Sequence, residues 1–110
     1  MIKSDLLLLQ EKIHANAIRH GFWSEDQPSI PEKLALIHSE VSEALEEYRN
    51  QNMEVYAGEN GKPEGFPIEL ADVVIRCLDL AEWLGIEMET VINFKMAFNK
   101  QRGYLHGKLC

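Results

Sequence analysis

Ser29-Ile30-Pro31-Glu32-Lys33-Leu34-Ala35-Leu36-Ile37-His38-Ser39-Glu40-Val41-Ser42-Glu43-Ala44-Leu45-Glu46-Glu47-Tyr48 is a helix that carries its own start signal. Ser29 is a capping residue, Pro31 suits a first turn, and Glu32 stands three residues after the cap. On a helix each residue turns about 100°. With Glu40 as the reference direction, Ile37, Val41, Ala44, Leu45 and Tyr48 fall between about +40° and +140°. Glu43 falls at about −60° and Glu47 at about −20°, while Glu46, at about −120°, points to solvent. The stretch is an amphipathic helix, expected to reach about Gln51, whose apolar stripe is edged by carboxylates.

A second stretch repeats the layout. Pro67 opens a helix that ends near Gly85. With Glu69 as reference, Asp72 lies at about −60° and Arg76 at about −20°. Leu70, Val73, Val74, Cys77, Leu80, Ala81 and Leu84 form a stripe from about +20° to +140°. Outward from these two, Ser4 or Asp5 caps a first helix that runs to about His20, where Gly21 stops it. A fourth helix runs from about Glu87 to Arg102, ended by Gly103. Residues 52–66 hold Gly58, Gly61, Pro63 and Gly65 and read as a loop, long enough to suggest a functional segment. No segment shows sustained period-two alternation. The expected fold is an all-α four-helix bundle, one domain over residues 1–110.

If the second and third helices pack stripe to stripe, Glu40, Glu43, Glu69 and Asp72 converge. Convergent carboxylates repel each other and lose hydration, so they need a compensating cation. Oxygen ligands with no His or Cys beside them select Mg²⁺, Mn²⁺ or Ca²⁺ over zinc. Taken singly, either acid pair reads first as exposed helix charge. The fourth helix has the opposite character. With Lys95 as reference, Asn99 lies at about +40° and Arg102 at about −20°, and His106 and Lys108 can fold back from beyond Gly103. Such a face suits phosphate oxygens. Positive charge near a helix C-terminus is also favoured by the dipole alone.

The overall charge follows this division. The chain carries 18 acidic and 11 basic side chains, a formal charge of −7. Residues 32–89 hold 14 of the acids and 4 bases, whereas residues 90–110 hold no acid and 4 bases, Lys95, Lys100, Arg102 and Lys108. The acidic balance argues against DNA or an anionic membrane as the main partner. Cys77 and Cys110 make no disulfide framework, and Cys77 reads as a reduced, buried thiol. The longest apolar run, Leu6–Leu9, is far short of a membrane span and lacks a cleavage site behind it, so a cytoplasmic protein is the expectation. Phe22, Trp23 and His20, between the first two helices, either stack on a base or pack against the bundle. Trp83 falls on the same edge as the acids, at a subunit contact or lining a cleft.

The stretch Leu36-Ile37-His38-Ser39-Glu40-Val41-Ser42-Glu43, followed by Glu69-Leu70-Ala71-Asp72, resembles the E-E-x-x-E … E-x-x-D signature of MazG-like nucleotide pyrophosphohydrolases. These belong to the all-α NTP pyrophosphatase superfamily. The tail, Lys95 to Asn99 to Arg102 to His106-Gly107-Lys108, looks like the end of short members, so the resemblance spans about residues 30–108. It implies that Glu40, Glu43, Glu69 and Asp72 bind Mg²⁺, with Mn²⁺ as a substitute. It implies cleavage of a nucleoside triphosphate to monophosphate and pyrophosphate, in a homodimer or a dimer of dimers. Lys95, Asn99, Arg102 and Lys108 would bind phosphate, and Phe22, Trp23 and His20 the base. Ser39 stands where the family has its first Glu, as in some relatives including dCTP pyrophosphatases. That departure leaves open the number of metal ions and whether Glu43 or Glu47 orients the attacking water.

Three other readings draw on the same residues. A di-iron carboxylate bundle wants a Glu-x-x-His from each of two helices, and only Glu11-Lys12-Ile13-His14 fits. A helical module that binds a nucleotide or protein partner without turnover shares the same face. Phosphoribosyl-ATP pyrophosphohydrolase lies within the same fold, but the tail and loop favour MazG-like proteins.

Overall fold

The structure is a computed structural model that describes residues 2–24 and 28–102. It is mainly helical: α1 (Asp5–Arg19), α2 (Ile30–Arg49), α3 (Phe66–Trp83) and α4 (Met88–Gln101). Between α2 and α3 a two-residue antiparallel pair, β1 (Tyr56–Ala57) with β2 (Pro63–Glu64), closes over a 3₁₀ turn at Glu59–Gly61. Among the described residues no helix is long and apolar enough to cross a membrane.

The start signals act as read. The Ser4 and Ser29 hydroxyls accept from the Leu7 and Glu32 amides, at 3.1 and 3.2 Å. The ends are set by left-handed residues. Gly21 and Gly85 follow α1 and α3 in that conformation, and Phe22 and Ile86 donate back to the Ala17 and Ala81 carbonyls. At the end of α2 the left-handed position is taken by Gln51, with Asn52 donating to the Glu47 carbonyl at 2.9 Å. This is why α2 stops at Arg49, two residues before the expected boundary.

The strand pair was not foreseen, because two residues per strand are too few to show alternation. It gives the 52–66 segment a definite course. Phe66 donates to the Asn52 carbonyl at 2.9 Å, which pins the start of α3 against the end of α2. Gly65 caps α3 at φ 119°, and a Cβ there would overlap the Glu54 carbonyl. Only glycine fits that close approach.

α3 is the hub. It packs against α2 most extensively and against α1 next. Ala17, Trp23 and Leu80 form the core, with Ile30 and Ile37 against them. The most deeply buried side chain is polar. Gln10 is 1% exposed. Its Nε2 donates to Glu82 Oε1 at 2.9 Å and to the Ile86 carbonyl at 2.7 Å. Its Oε1 accepts from the Met88 amide at 3.3 Å. One α1 side chain thus fastens the α3–α4 turn and the N-terminus of α4.

Beyond that fastening α4 packs little. It touches α1 near its start, and Val91, Ile92, Phe94, Met96 and Phe98 are all exposed. Within one chain, three helices pack together and the fourth extends from them. The radius of gyration of 16.5 Å agrees, against the ~13 Å of a compact chain of this length.

Candidate metal centre

The pairing of α2 with α3 brings the carboxylates together. Glu40 and Glu43 come from the middle of α2, and Glu69 from the first turn of α3, where the helix N-terminus favours negative charge. One oxygen each from Glu40, Glu43 and Glu69 lies within 4.8 Å of the others. Asp72, one turn on, lines the same cavity as Glu40. Glu40 is buried, Glu69 and Asp72 half-buried, and Glu43 exposed.

Burial and crowding raise the proton affinity of the site. Desolvation, a hydrogen bond shared with Glu43, and the charges of Glu43, Asp72 and Glu40 push the Glu69 carboxyl from 4.5 up to about 7. Asp72 is also raised, first by desolvation and then by Glu40, with Arg76 and Lys62 pulling the other way. A proton shared between two carboxylates is the smallest cation that relieves such a cluster.

A larger one fits the donors. Glu40 Oε2 and Glu69 Oε2 are buried and accept no hydrogen bond from the described residues, a costly state that a bound cation would relieve. Oxygens on opposite sides of a calcium ion stand about 4.6–5.2 Å apart and those around magnesium about 4.0–4.2 Å. The observed spacing within 4.8 Å spans both. The residues present fit a hard divalent cation, without choosing among Mg²⁺, Mn²⁺ and Ca²⁺.

Glu47 lies to one side, where it accepts from the Tyr56 hydroxyl at 3.2 Å. Ser39 donates to the Leu36 carbonyl at 2.6 Å, turned back on its own helix. Arg76 Nε donates to Glu40 Oε1 at 2.9 Å. This ion pair was not foreseen, although Arg76 falls on the acid edge of α3. Asp79, seven residues after Asp72 and so on the same edge, also lines the cavity beside the acids.

A cavity of about 340 Å³ opens beside the acids, lined by Glu40, Asp72, Arg76, Asp79, Asn16 and Phe22 among others. The volume is at the lower end for small-molecule sites. Of the three residues expected to meet a base, Phe22 is 63% exposed and lines this cavity. Trp23 is core. Its ring stacks on Trp83 at 4.7 Å, its Nε1 donates to both Asp79 oxygens at 2.9 and 3.0 Å, and Lys33 lies over its face. Asp79 also meets His14 Nδ1 at 2.7 Å. Trp83 therefore takes part in an intrachain aromatic stack. His20 is exposed, with Nδ1 2.8 Å from the Asn16 carbonyl.

Lys95 and Arg102 flank Phe98 on α4, at 5.2 and 5.3 Å from its centroid. No hydrogen bond or ion pair found among the described residues joins Lys95 or Asn99 to the acid cluster. Lys108, with the rest of the 103–110 tail, lies outside the described residues. Cys77 is free and half-buried, and burial pushes its thiol up, which suits an inert packing role.

Compared with known proteins, the chain matches no family model, no curated protein and no solved structure.

Proposed function

We propose that the protein is a divalent-metal-dependent nucleoside triphosphate pyrophosphohydrolase of the MazG-like kind, acting in the cytoplasm. The observation that carries this is the meeting of Glu40, Glu43 and Glu69, with two buried carboxylate oxygens that have no partner among the described residues, beside a cavity of about 340 Å³. Glu40, Glu43, Glu69 and Asp72 hold the cation, Mg²⁺ with Mn²⁺ as a substitute. When bound, it neutralises phosphate charge and lowers the pKa of a coordinated water. The remaining work falls to the chain. Glu43 or Glu47 takes the proton of the water that attacks the α-phosphorus, the α–β bridging P–O bond breaks, and pyrophosphate leaves. Phe22 supplies a stacking surface for the base.

Lys95, Asn99, Arg102 and Lys108 bind the departing phosphates in this reading, which requires α4 to lie against a site. A 14-residue helix with most of its apolar side chains in water is marginal on its own. We propose that a second copy covers α4, giving a homodimer or dimer of dimers in which the four-helix bundle is completed. The test is pyrophosphate release from a panel of canonical and modified nucleoside triphosphates with Mg²⁺. The expected result is turnover of at least one, abolished in Glu40→Gln and Asp72→Asn with helicity intact.

A second reading, nucleotide binding without hydrolysis, is favoured by Ser39, which offers no carboxylate and is bonded to its own helix. Tight metal-dependent nucleotide binding with no turnover across the panel would establish it in place of the first.

A further inference from the structure

Arg76 stands where the acid cluster and the aromatic pocket meet. It lines both the cavity beside Glu40 and Asp72 and a smaller one of about 170 Å³ behind Phe22 and Trp23. Its side chain is 40% exposed and that of its partner Glu40 only 10%.

The way the two pair is informative. A guanidinium whose task is to neutralise a carboxylate gains most from a two-bond fork. Arg76 touches Glu40 through Nε alone, at 2.9 Å. Glu40 Oε2 is left buried, with no partner among the described residues. Nε is one of five N–H donors on the group. Among the described residues the other four, on the two terminal nitrogens, meet no hydrogen-bond acceptor. The side chain therefore fixes one oxygen of Glu40 and keeps a planar pair of NH₂ groups for something else. Arg76 lines a cavity shared with Phe22, and its paired terminal NH₂ groups have the geometry that matches a phosphate.

Position selects which phosphate. In a nucleoside triphosphate the α-phosphate lies between the terminal phosphates and the nucleoside. Arg76 shares one cavity with Glu40, Asp72 and Phe22, and a second with Phe22 and Trp23 but neither Glu40 nor Asp72. Resting on the pyrophosphohydrolase reading, we propose that Arg76 is a substrate-binding residue whose terminal NH₂ groups grip the α-phosphate while Nε holds Glu40 in place. It would anchor the phosphorus under attack, a task distinct from that of the α4 cations, which are assigned to the leaving group.

The test uses the full chain and two variants, Arg76→Gln and Arg76→Lys, each checked for helicity and melting temperature. The probes are Mn²⁺ alone, inorganic pyrophosphate with Mn²⁺, and the non-cleavable α,β-methylene analogues of the four deoxynucleoside triphosphates with Mn²⁺. Pyrophosphate has no counterpart of the α-phosphate. Arg76→Gln is expected to weaken the tightest-binding analogue about 10- to 100-fold. Pyrophosphate and Mn²⁺ binding should change less than about threefold, and Arg76→Lys should recover part of the loss, since it restores charge without the fork. Wild-type analogue affinity in Arg76→Gln overturns the proposal, and so does an equal loss for all three probes, which marks a purely structural role. Wild-type protein that binds neither Mn²⁺ nor any analogue refutes the underlying pyrophosphohydrolase reading, and this proposal with it.

Discussion

In the proposed metal centre a proton and a cation would compete for the Glu69 oxygens, and that competition can be measured. The carboxyl is pushed up to about 7 by desolvation and by Glu43, Asp72 and Glu40. It is then about nine-tenths protonated at pH 6, half at pH 7 and one-tenth at pH 8. A cation that needs the ionised form must displace that proton. Its apparent affinity should rise about tenfold from pH 6 to pH 8 and level off above. The protons released per cation should fall from about 0.9 to about 0.1. Titration calorimetry with Mn²⁺ at pH 6, 7 and 8, in pairs of buffers differing in ionisation enthalpy, reads both quantities. Stability without metal follows the same equilibrium with a definite sign. The folded carboxyl sits above its unfolded value of 4.5, so the folded state binds more protons. The contribution of Glu69 is full below pH 4.5 and is lost as pH rises through 7. Mn²⁺ should therefore raise the melting temperature more at pH 8 than at pH 6. Proton release below about 0.2 at all three pH values, or an affinity flat with pH, would refute the reasoning.

Other consequences follow from particular contacts. Gln10→Leu strands the Met88 amide and the Ile86 carbonyl and should cost roughly 1–3 kcal/mol in urea denaturation; a loss under about 0.5 would mean the α3–α4 turn does not depend on it. Gly65→Ala places a Cβ against the Glu54 carbonyl and should lower stability by about 1–3 kcal/mol. It should also weaken Mn²⁺ binding, since Gly65 starts the turn that presents Glu69; unchanged Mn²⁺ affinity would separate the turn from the site. Phe94→Asp, at a side chain 77% exposed on α4, should shift the protein toward monomer in sedimentation equilibrium; a wild-type protein monomeric at 100 µM or so would remove the argument for a covering second copy.

The helices were legible because their signals are local. Ser4, Ser29, Gly21 and Gly85 act within a turn of their own positions, and the stripes on α2 and α3 need only a 3.6-residue period. The expected convergence of Glu40, Glu43, Glu69 and Asp72 needed only that two helices with matching edges pack; the structure brings oxygens of Glu40, Glu43 and Glu69 within 4.8 Å of one another, with Asp72 beside them along the cavity. What escaped depends on atoms distant in sequence. Gln10 is an ordinary helix residue until α3 and α4 turn above it. Arg76 carries one charge on a helix edge until α2 places Glu40 within 2.9 Å. Lys62 reaches the field of Asp72 only because a two-residue ladder folds the loop back. Trp23 allowed a base-stacking role and Trp83 a place at a subunit contact or lining a cleft, and the two rings stack on one another. The departure of α4 from the other three helices has no local signal, since its apolar face reads the same whether its partner lies in its own chain or in another.

Anomalous scattering from crystals grown with Mn²⁺ tests the metal centre most directly. The account predicts a manganese peak bounded by Glu40, Glu43 and Glu69, with Asp72 beside it. A manganese-soaked crystal with no peak there, and these carboxylates still bare or paired only with protons and Arg76, would contradict it.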